Sequence, residues 1–259
     1  MLTFLSDFGS ASPYPAAMKG AAAGICDAAL IDISHDVTPG SIREGAYLLW
    51  SAAPIYPPGT VHCAVIDPGV GTERAALAVA SGGQVLVGPD NGVLLPAARR
   101  LGLPDVYRLS EPSFWRHPVS ATFHGRDVFA PTAAHLASGT PVSTVGVPTN
   151  TYVDLALPTG RGDGRALVGE VLWVDRFGNL VTSIPGTLLS ELPPRAGLVV
   201  EAASAALAAV PARTFGDAAS GRAVVYVGSD GMLEVAVNRG SAAHALAAAP
   251  GMALRIRPA

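Results

Sequence analysis

The sequence is poor in charge and in cysteine, and each shortage removes a class of function. Only 14% of the 259 residues are charged and the net charge is −3. Because the sequence contains no basic stripe, we do not expect nucleic acid as a partner. Cys26 and Cys63 lie in apolar stretches, where we expect small buried side chains rather than a disulfide or a metal pair. The histidines lack metal-ligand spacing, and no Walker or dinucleotide fingerprint occurs, so neither a metal site nor a nucleotide cofactor is expected.

No apolar run is long enough to span a membrane, and alanine-rich stretches such as "AAAGICDAALI" are interrupted too soon. We therefore expect no membrane partner. The amino terminus, "MLTFLSDFGS", passes directly into a strand pattern without a charged leader or cleavage signature, which predicts a cytoplasmic protein. Hydrophobic residues make up 49% of the chain, enough for a substantial core and too many for a disordered protein.

In the first half of the chain, short apolar runs alternate with helix-like stretches. The runs "LTFLS", "ALIDIS", "VHCAVID", "AALAVAS" and "QVLVGP" predict strands, and residues 14–29 and 41–56 predict helices. This alternation predicts an N-terminal α/β domain at residues 1–155 with a mainly parallel central sheet. In such sheets, reactive groups gather outside the carboxyl ends of the strands.

The stretch "LALPTGRGDGRALVG" breaks this alternation with proline, glycine and mixed charge, and predicts a linker at residues 156–166. The strand-like runs "EVLWVD", "LVTSI", "GLVVEA", "AVVYVG" and "MLEVAV" follow, and a helix pattern returns only at "SAAHALAA". Residues 167–259 are therefore predicted to form a smaller C-terminal antiparallel β-barrel domain, with a sandwich as the alternative.

Four short segments place polar groups at the ends of apolar runs. In "SDFGS", Asp7 could begin a turn or cap the next helix, or its carboxylate could accept both hydroxyls of a ribose side by side. In "VIDPGVGTER", Asp67 before Pro-Gly is ordinary turn chemistry and Arg74 could be a surface charge. The same two residues could instead bring opposite charges to a reactive strand end.

The other two segments leave similar alternatives open. In "TFHGRDVFAP", His124 could be structural, with Arg126 and Asp127 forming an ion pair that anchors the loop. Gly125, however, leaves room for a ligand to approach the backbone. In "WVDRFGNLVTSI", a hairpin tip explains the polar residues, although Asp175 and Asn179 could also read an amino group and an adenine edge.

Taken in order, these segments resemble one known family. "SDFG", "IDPGVGTER", "GPDNGVL", "TFHGRDVF", "VDRFGNLVTSI" and "GSDGMLEVAVNRGSAA" together are similar to the S-adenosyl-L-methionine (SAM) hydrolase, or hydroxide adenosyltransferase, family, which is related to fluorinases and chlorinases. The resemblance implies an N-terminal α/β domain, a C-terminal β-barrel and a homotrimer with active sites between neighbouring subunits. It also implies the hydrolysis of SAM to adenosine and L-methionine, with no cofactor and no metal.

The resemblance also implies roles for individual residues. Asp67, Arg74 and His124 match the triad that activates water. The residues that match substrate contacts are Asp7, Phe123, Asp175, Phe177, Asn179, Ser229, Asn238 and Arg239. Among these, Asp7 matches a ribose ligand, Asp175 the acid that holds the methionine amine, and Ser229 a serine near the methionine carboxylate. Asn179 matches the residue that reads adenine, and the backbone around Asn238 and Arg239 matches a segment near adenine.

The triad favours water over halide as the nucleophile, because a halide has no proton to offer a carboxylate and is repelled by it. Gly40 stands where the fluorinase carries an aromatic residue, and Asp230 where it carries an arginine for the methionine carboxylate, which leaves both substrate contacts open. Three alternatives remain: a SAM-dependent halogenase of the same family, a non-catalytic trimer that binds adenosine or SAM, and a metal-dependent phosphoesterase using Asp7, Asp67 and His124.

Overall fold

The apolar runs of the amino-terminal half form one seven-stranded sheet in the computed structural model, which describes residues 1–192 and 197–259. This sheet belongs to the first of two units into which the chain divides, Met1–Ala156 and Leu157–Ala259. Its strands are β1 Leu2–Ser6, β2 Leu30–Ser34, β3 Val61–Val65, β4 Ala76–Ser81, β5 Gln84–Pro89, β6 Asp105–Leu109 and β7 Gly146–Pro148. Its α-helices are α1 Tyr14–Ala23, α2 Ile42–Ala52, α3 Leu95–Leu101, α4 Ala130–Ala137 and α5 Val142–Val145.

The strand order is β2-β1-β3-β5-β4-β6-β7, and the predicted α/β class is confirmed. The pairings among β2, β1, β3 and β5 are parallel, as predicted, whereas those of β4, β6 and β7 are antiparallel. Every residue of β1 and β3 is buried, because helices cover both faces of the parallel half. The free thiols of Cys26 and Cys63 are buried as well.

Both predicted helices end earlier than expected. α1 ends at Ala23 because Gly24 and the residues after it turn towards β2, so the prediction of helix to residue 29 is wrong. α2 ends at Ala52, and a short 3₁₀-helix that contains Pro54 continues to Ile55. Proline lacks the amide hydrogen that an α-helix needs at that point. Within residues 1–192 and 197–259, each helix is too short or too polar to cross a membrane.

The second unit is a closed barrel of seven strands with one additional strand. Its elements are β8 Arg161–Asp163, β9 Ala166–Val174, β10 Leu180–Pro185, β11 Leu198–Ala202, β12 Ala205–Pro211, β13 Ala223–Val227, β14 Met232–Val237, α6 Ala242–Leu246 and β15 Ala253–Pro258. The order is β10-β14-β13-β12-β11-β15-β9, and β9 pairs with β10 to close the ring. The predicted barrel is confirmed, with one difference: the β12–β13 pair is parallel.

Part of the predicted linker at 156–166 is a hairpin. β8 pairs with β9, and Asp163 lies opposite Ala166 across a two-residue turn. Gly164 in this turn has φ +64°, a conformation that glycine adopts at little cost. The glycines and charges that predicted a linker therefore form a tight turn at the edge of the barrel.

Candidate functional site

The carboxyl ends of two neighbouring strands bring the first candidate residues together. β1 and β3 run parallel, with Ser6 opposite Val65 in the register. Asp7 follows β1 and Asp67 follows β3, so both emerge at the same edge of the sheet. β4 runs antiparallel to β5, so Arg74, which precedes β4, reaches that edge as well. This is the edge at which the sequence predicted a reactive site.

Asp67, Arg74 and His124 form one hydrogen-bonded cluster. Arg74 donates from Nε to Asp67 Oδ1 at 2.9 Å and from Nη2 to Asp67 Oδ2 at 2.5 Å. Arg74 Nη2 also lies 2.8 Å from His124 Nδ1. The side chains of Asp67 and Arg74 are only 5% and 12% exposed. This geometry excludes the interpretation of Arg74 as a simple surface charge.

The backbone around Asp67 is fixed by the turn that the sequence predicted. Val70 N donates to the Asp67 carbonyl at 3.2 Å, which closes the turn. Asn91, from the "GPDNGVL" segment, donates from Nδ2 to the Ile66 carbonyl at 2.7 Å and so holds the residue before Asp67. The segment "VIDPGVGTER" therefore forms a turn and also places the carboxylate of Asp67.

The surroundings of His124 favour its neutral form, with the proton on one particular nitrogen. Burial lowers the pKa of His124, and the Arg74 cation lowers it further, while Asp67 and Asp127 oppose the shift. Because a guanidinium can only donate, Nδ1 must accept the hydrogen bond from Arg74. The neutral ring assigned from this hydrogen bond therefore carries its proton on Nε2, which is a donor.

Asp7 is held by a backbone amide and keeps acceptor capacity. Gly40 N donates to Asp7 Oδ2 at 2.8 Å, and Asp7 Oδ1 accepts no hydrogen bond from the described residues. Gly40 has φ +74°, so the glycine that departs from the fluorinase pattern allows the backbone turn that delivers this amide. The interpretation of Asp7 as a helix cap is wrong, since the position before α1 is Pro13 and α1 has no side-chain cap.

An aromatic cluster lies beside the triad. The rings of Phe8, Tyr14 and Phe123 pack edge to face, with centroid distances of 5.9 Å for Phe8–Tyr14, 5.7 Å for Phe8–Phe123 and 5.2 Å for Tyr14–Phe123. A Cβ atom at Gly125 would meet Met18 Sδ at 3.3 Å and ring carbons of Phe8 and Phe123 at 3.4 Å. The sequence pointed to Phe123 but missed Phe8 and Tyr14, whose aromatic character so near to Asp7 was the available signal.

Four of the predicted substrate residues line one cavity in the second unit. The cavity has a volume of about 770 Å³, within the range of small-ligand sites. It is lined by Phe177, Asn179, Phe215, Gly216, Val237, Asn238, Arg239 and Gly240. Phe177 is 78% exposed and Phe215 is 52% exposed, so two aromatic rings lie uncovered at its wall.

Phe215 was missed because it lies in a short 3₁₀-helix between strands rather than in a strand pattern. The signal that could have found it is the sequence "TFGD", in which Thr214 and Asp217 form a reciprocal capping box around the aromatic residue. The main-chain groups of Asn238 are already paired, with its amide bonded to the Arg222 carbonyl and its carbonyl to the Gly221 amide. The Asn238 side chain is also engaged, since Nδ2 donates to the Ala218 carbonyl at 2.7 Å. Arg239 follows with φ of +57°, which is unusual for a residue with a side chain.

Asp175 and Ser229 do not line this cavity. Asp175 Oδ1 accepts from the amides of Phe177 and Asn179 at 2.9 and 2.8 Å, and Oδ2 accepts from Asn179 Nδ2 at 2.8 Å. The carboxylate therefore shapes the hairpin tip, as the plain interpretation of this segment predicted. Ser229 is exposed in the turn between β13 and β14, where Asp230 Oδ1 accepts from the Met232 amide at 3.2 Å.

The sequence analysis missed a partly buried acid near Asp175, Glu234. Tyr226 donates to Glu234 Oε2 at 2.6 Å across the β13–β14 pair. Burial raises the pKa of Glu234, the Tyr226 hydrogen bond opposes this, and the charges of Asp230 and Asp175 raise it further. Within residues 1–192 and 197–259, no group of three or more His, Cys, Asp or Glu side chains is arranged to hold a metal ion.

Comparison with known proteins supports the motif resemblance. A family model described as "SAM hydroxide adenosyltransferase N-terminal domain" matches residues 2–146, and one described as "SAM hydroxide adenosyltransferase C-terminal domain" matches residues 169–255. A protein of Salinispora tropica named "(R)-S-adenosyl-L-methionine hydrolase" is 45% identical to this chain. The match covers 98% of this chain and 97% of the length of that protein. A "Fluorinase" of Nocardia brasiliensis is 28% identical over 99% of this chain and 96% of its own.

A solved structure shares the fold along nearly the whole chain. The crystal structure of an uncharacterized conserved protein from Thermotoga maritima superposes with a TM-score of 0.94 at 35% identity. The superposition covers 99% of this chain and 100% of the Thermotoga maritima chain. The two-unit architecture is therefore shared with a known structure.

Proposed function

Because the chain belongs to the SAM hydroxide adenosyltransferase family, we propose that it hydrolyses SAM by attack of water at C5′ of the adenosyl group. The products are adenosine and L-methionine. The observation that carries this proposal is the cluster of Asp67, Arg74 and His124, which offers a carboxylate acceptor and two kinds of donor to one small polar molecule. The identity of 45% to a hydrolase against 28% to a fluorinase supports the same choice of nucleophile.

The protonation of His124 assigns the roles in the proposed step. His124 Nδ1 accepts from Arg74, so Nε2–H can only donate to the nucleophilic oxygen. Asp67 is then the group of the triad that accepts the proton of the water. As the oxygen–C5′ bond forms, the water becomes more acidic, so even a carboxylate paired with Arg74 can take the proton.

The electron balance needs no other reactant. The water oxygen forms a bond to C5′, the C5′–sulfur bond breaks, and its electron pair passes to the sulfonium, which leaves as the neutral thioether of methionine. The leaving group needs no acid because the sulfur gains rather than loses electrons. What the site contributes is orientation of the water in line with the departing sulfur, which is worth about 7–11 kcal/mol in comparable intramolecular reactions.

We assign the remaining candidate residues to different parts of the substrate according to the unit in which they lie. Asp7 accepts the ribose hydroxyls through the oxygen that the protein leaves open. The second unit binds adenine in its cavity, where Phe177 and Phe215 offer apolar faces and Asn179 offers a polar edge. We propose a homotrimer in which the amino-terminal unit of one subunit and the barrel of its neighbour complete each site. Asp175 and Ser229, which lie outside the cavity, stay assigned to the methionine moiety on family resemblance alone.

Product analysis in ¹⁸O-labelled water tests this proposal. We expect one label in the 5′-hydroxyl of adenosine and none in methionine, by mass spectrometry. Both sulfonium epimers are tried separately, because the relative from Salinispora tropica is named for the (R) form. Added fluoride or chloride should give no 5′-halogenated nucleoside. Label in methionine, a halogenated product, or SAM recovered intact would each reject hydrolysis at C5′, the last in favour of a binding protein.

A further inference from the structure

A buried acid that the proposed reaction does not use lies three residues after His124. Asp127 belongs to a π-helical turn, Gly125–Phe129, and is 0% exposed. π-helical turns are rare and often occur at functional sites. The neighbouring sequence predicted an ion pair between Arg126 and Asp127, and the structure contains it.

The carboxylate of Asp127 accepts four hydrogen bonds. Arg126 donates to Oδ1 from Nε at 2.7 Å and to Oδ2 from Nη2 at 2.8 Å. Arg116 Nη1 donates to Oδ1 at 3.1 Å, and the Ser120 amide donates to Oδ2 at 2.9 Å. Burial alone would raise the pKa of Asp127, but the bonds from Arg126, Ser120 and Arg116 outweigh it and hold the pKa at about 2. The group is therefore an anion at neutral pH.

Main-chain bonds of Asp127, together with one bond to its carboxylate, hold the segment that leads to His124. The Arg116 amide donates to the Asp127 carbonyl at 2.8 Å, and the Asp127 amide donates to the Phe123 carbonyl at 3.2 Å. Together with the Ser120 bond, Asp127 holds the segment 116–123 at its beginning, its middle and its end. His124 follows directly, so its position depends on this segment.

The same carboxylate also fixes the aromatic ring beside His124. The Arg126 guanidinium lies 4.9 Å from the centroid of the Phe123 ring. Two charge-assisted bonds from Arg126 to Asp127 fix the plane of that guanidinium. Asp127 therefore acts on Phe123 through Arg126, and on His124 through the backbone.

We propose that Asp127 is a positioning residue, which holds His124 against Arg74 and Phe123 beside them without touching the substrate. The proposal rests on the proposed function for its effect on catalysis. It also predicts an electrostatic effect on the imidazole, because the charge of Asp127 raises the pKa of His124 against burial and Arg74.

The test replaces Asp127 with asparagine, which keeps the shape and removes the charge. We expect kcat to fall on the order of 10–100-fold, the range measured for outer-shell partners of metal ligands, with KM for SAM little changed. Asp154→Asn is the matched control, since Asp154 pairs with Arg99 at 2.6 Å on the exposed surface of the same unit. This control should keep the wild-type kcat.

A double-mutant cycle separates positioning from general damage. If Asp127 acts through His124, adding Asp127→Asn to His124→Ala should cost little further kcat. Equal losses in both backgrounds would overturn the proposed action of Asp127 through His124. If Asp127→Asn does not fold, Arg126→Gln takes its place in the same cycle, since Arg126 is 30% exposed and its loss should spare the fold.

An NMR titration of His124 gives a readout that needs no activity. We expect the pKa of His124 to be lower in Asp127→Asn than in the wild type, because a nearby negative charge is gone. If the wild type does not hydrolyse SAM, the proposed function fails while this titration still tests Asp127. An imidazole with an unchanged pKa and unchanged chemical shifts in the folded variant would refute the positioning role.

Discussion

Replacing Asp67 with asparagine tests the assignment of the base most directly. The side-chain oxygen of asparagine can still accept a hydrogen bond from Arg74, as Asp67 Oδ1 does now at 2.9 Å. Its amide group, however, faces Arg74 Nη2, where donor would meet donor in place of the present 2.5 Å ion pair. The substitution therefore removes the proton acceptor and loosens Arg74 with little change of volume.

Two magnitudes follow from this geometry. Loss of a general base lowers kcat by about 10²–10⁴-fold, which corresponds to about 2.7–5.4 kcal/mol at 1.36 kcal/mol per tenfold. Arg74 is 12% exposed and would keep only part of its pairing, so the free energy of unfolding should fall by about 1–3 kcal/mol. The affinity for SAM should change little, because the water and not the substrate loses its partner.

Chromatography of adenosine formation gives kcat and KM, and calorimetry with adenosine checks that the binding site is intact. Asp163→Asn serves as a control, because Asp163 pairs with Arg255 at 2.7 Å on the barrel surface and has no part in the proposed site. A folded Asp67→Asn protein with kcat within threefold of the wild type would refute the assignment of Asp67 as the base.

Three further outcomes are expected. Asp7→Ala should weaken adenosine binding, since each ribose hydroxyl loses a charged acceptor worth about 1.5–3 kcal/mol, and calorimetry showing wild-type affinity would reject the ribose role. Mixed trimers of Asp67→Ala and Asp175→Ala chains should recover activity that neither variant has alone; trimers that form but stay inactive would defeat the shared site. Stability should fall as the pH drops below about 6.5, the ordinary pKa of histidine, because burial lowers the folded-state pKa of His62 and the unfolded chain then binds more protons. Urea unfolding from pH 7.5 to 5 should show a shallower loss for His62→Gln than for the wild type, and equal slopes would contradict this cause.

The class of each unit could be predicted because its apolar pattern is regular, whereas strand direction could not be inferred from apolar runs alone. β4 and β5 have similar apolar sequences, yet they run antiparallel. The direction is set by Gly82 and Gly83, which have φ of +56° and +78° and form the two-residue turn between Ser81 and Gln84. A glycine pair between two strand patterns is a hairpin signal, so this part of the prediction was within reach of the sequence.

The candidate site could be predicted only in part, because a residue type does not reveal how its polar atoms are already used. Asp7 and Asp175 look alike in sequence, each an acid at a strand end. In the structure, Asp7 keeps one carboxylate oxygen open, whereas both oxygens of Asp175 accept bonds within their own hairpin. The pairing of Arg74 with His124, fifty residues apart, depends on the order of strands in the sheet and on no local pattern.

Because β1 and β3 are adjacent, the sheet itself fixes the spacing of the two chain segments that follow them. Neighbouring strands lie about 4.8 Å apart whatever their side chains, so the separation between the backbones that carry Asp7 and Asp67 is set by the sheet and not by a loop. If the proposed roles hold, insertions or substitutions in the 67–74 loop should alter which nucleophile is held while the proposed ribose ligand, Asp7, stays in place. Attempts to change the nucleophile should begin with that loop and leave β1 and β3 unaltered. Moving either strand would change the distance between Asp7 and Asp67.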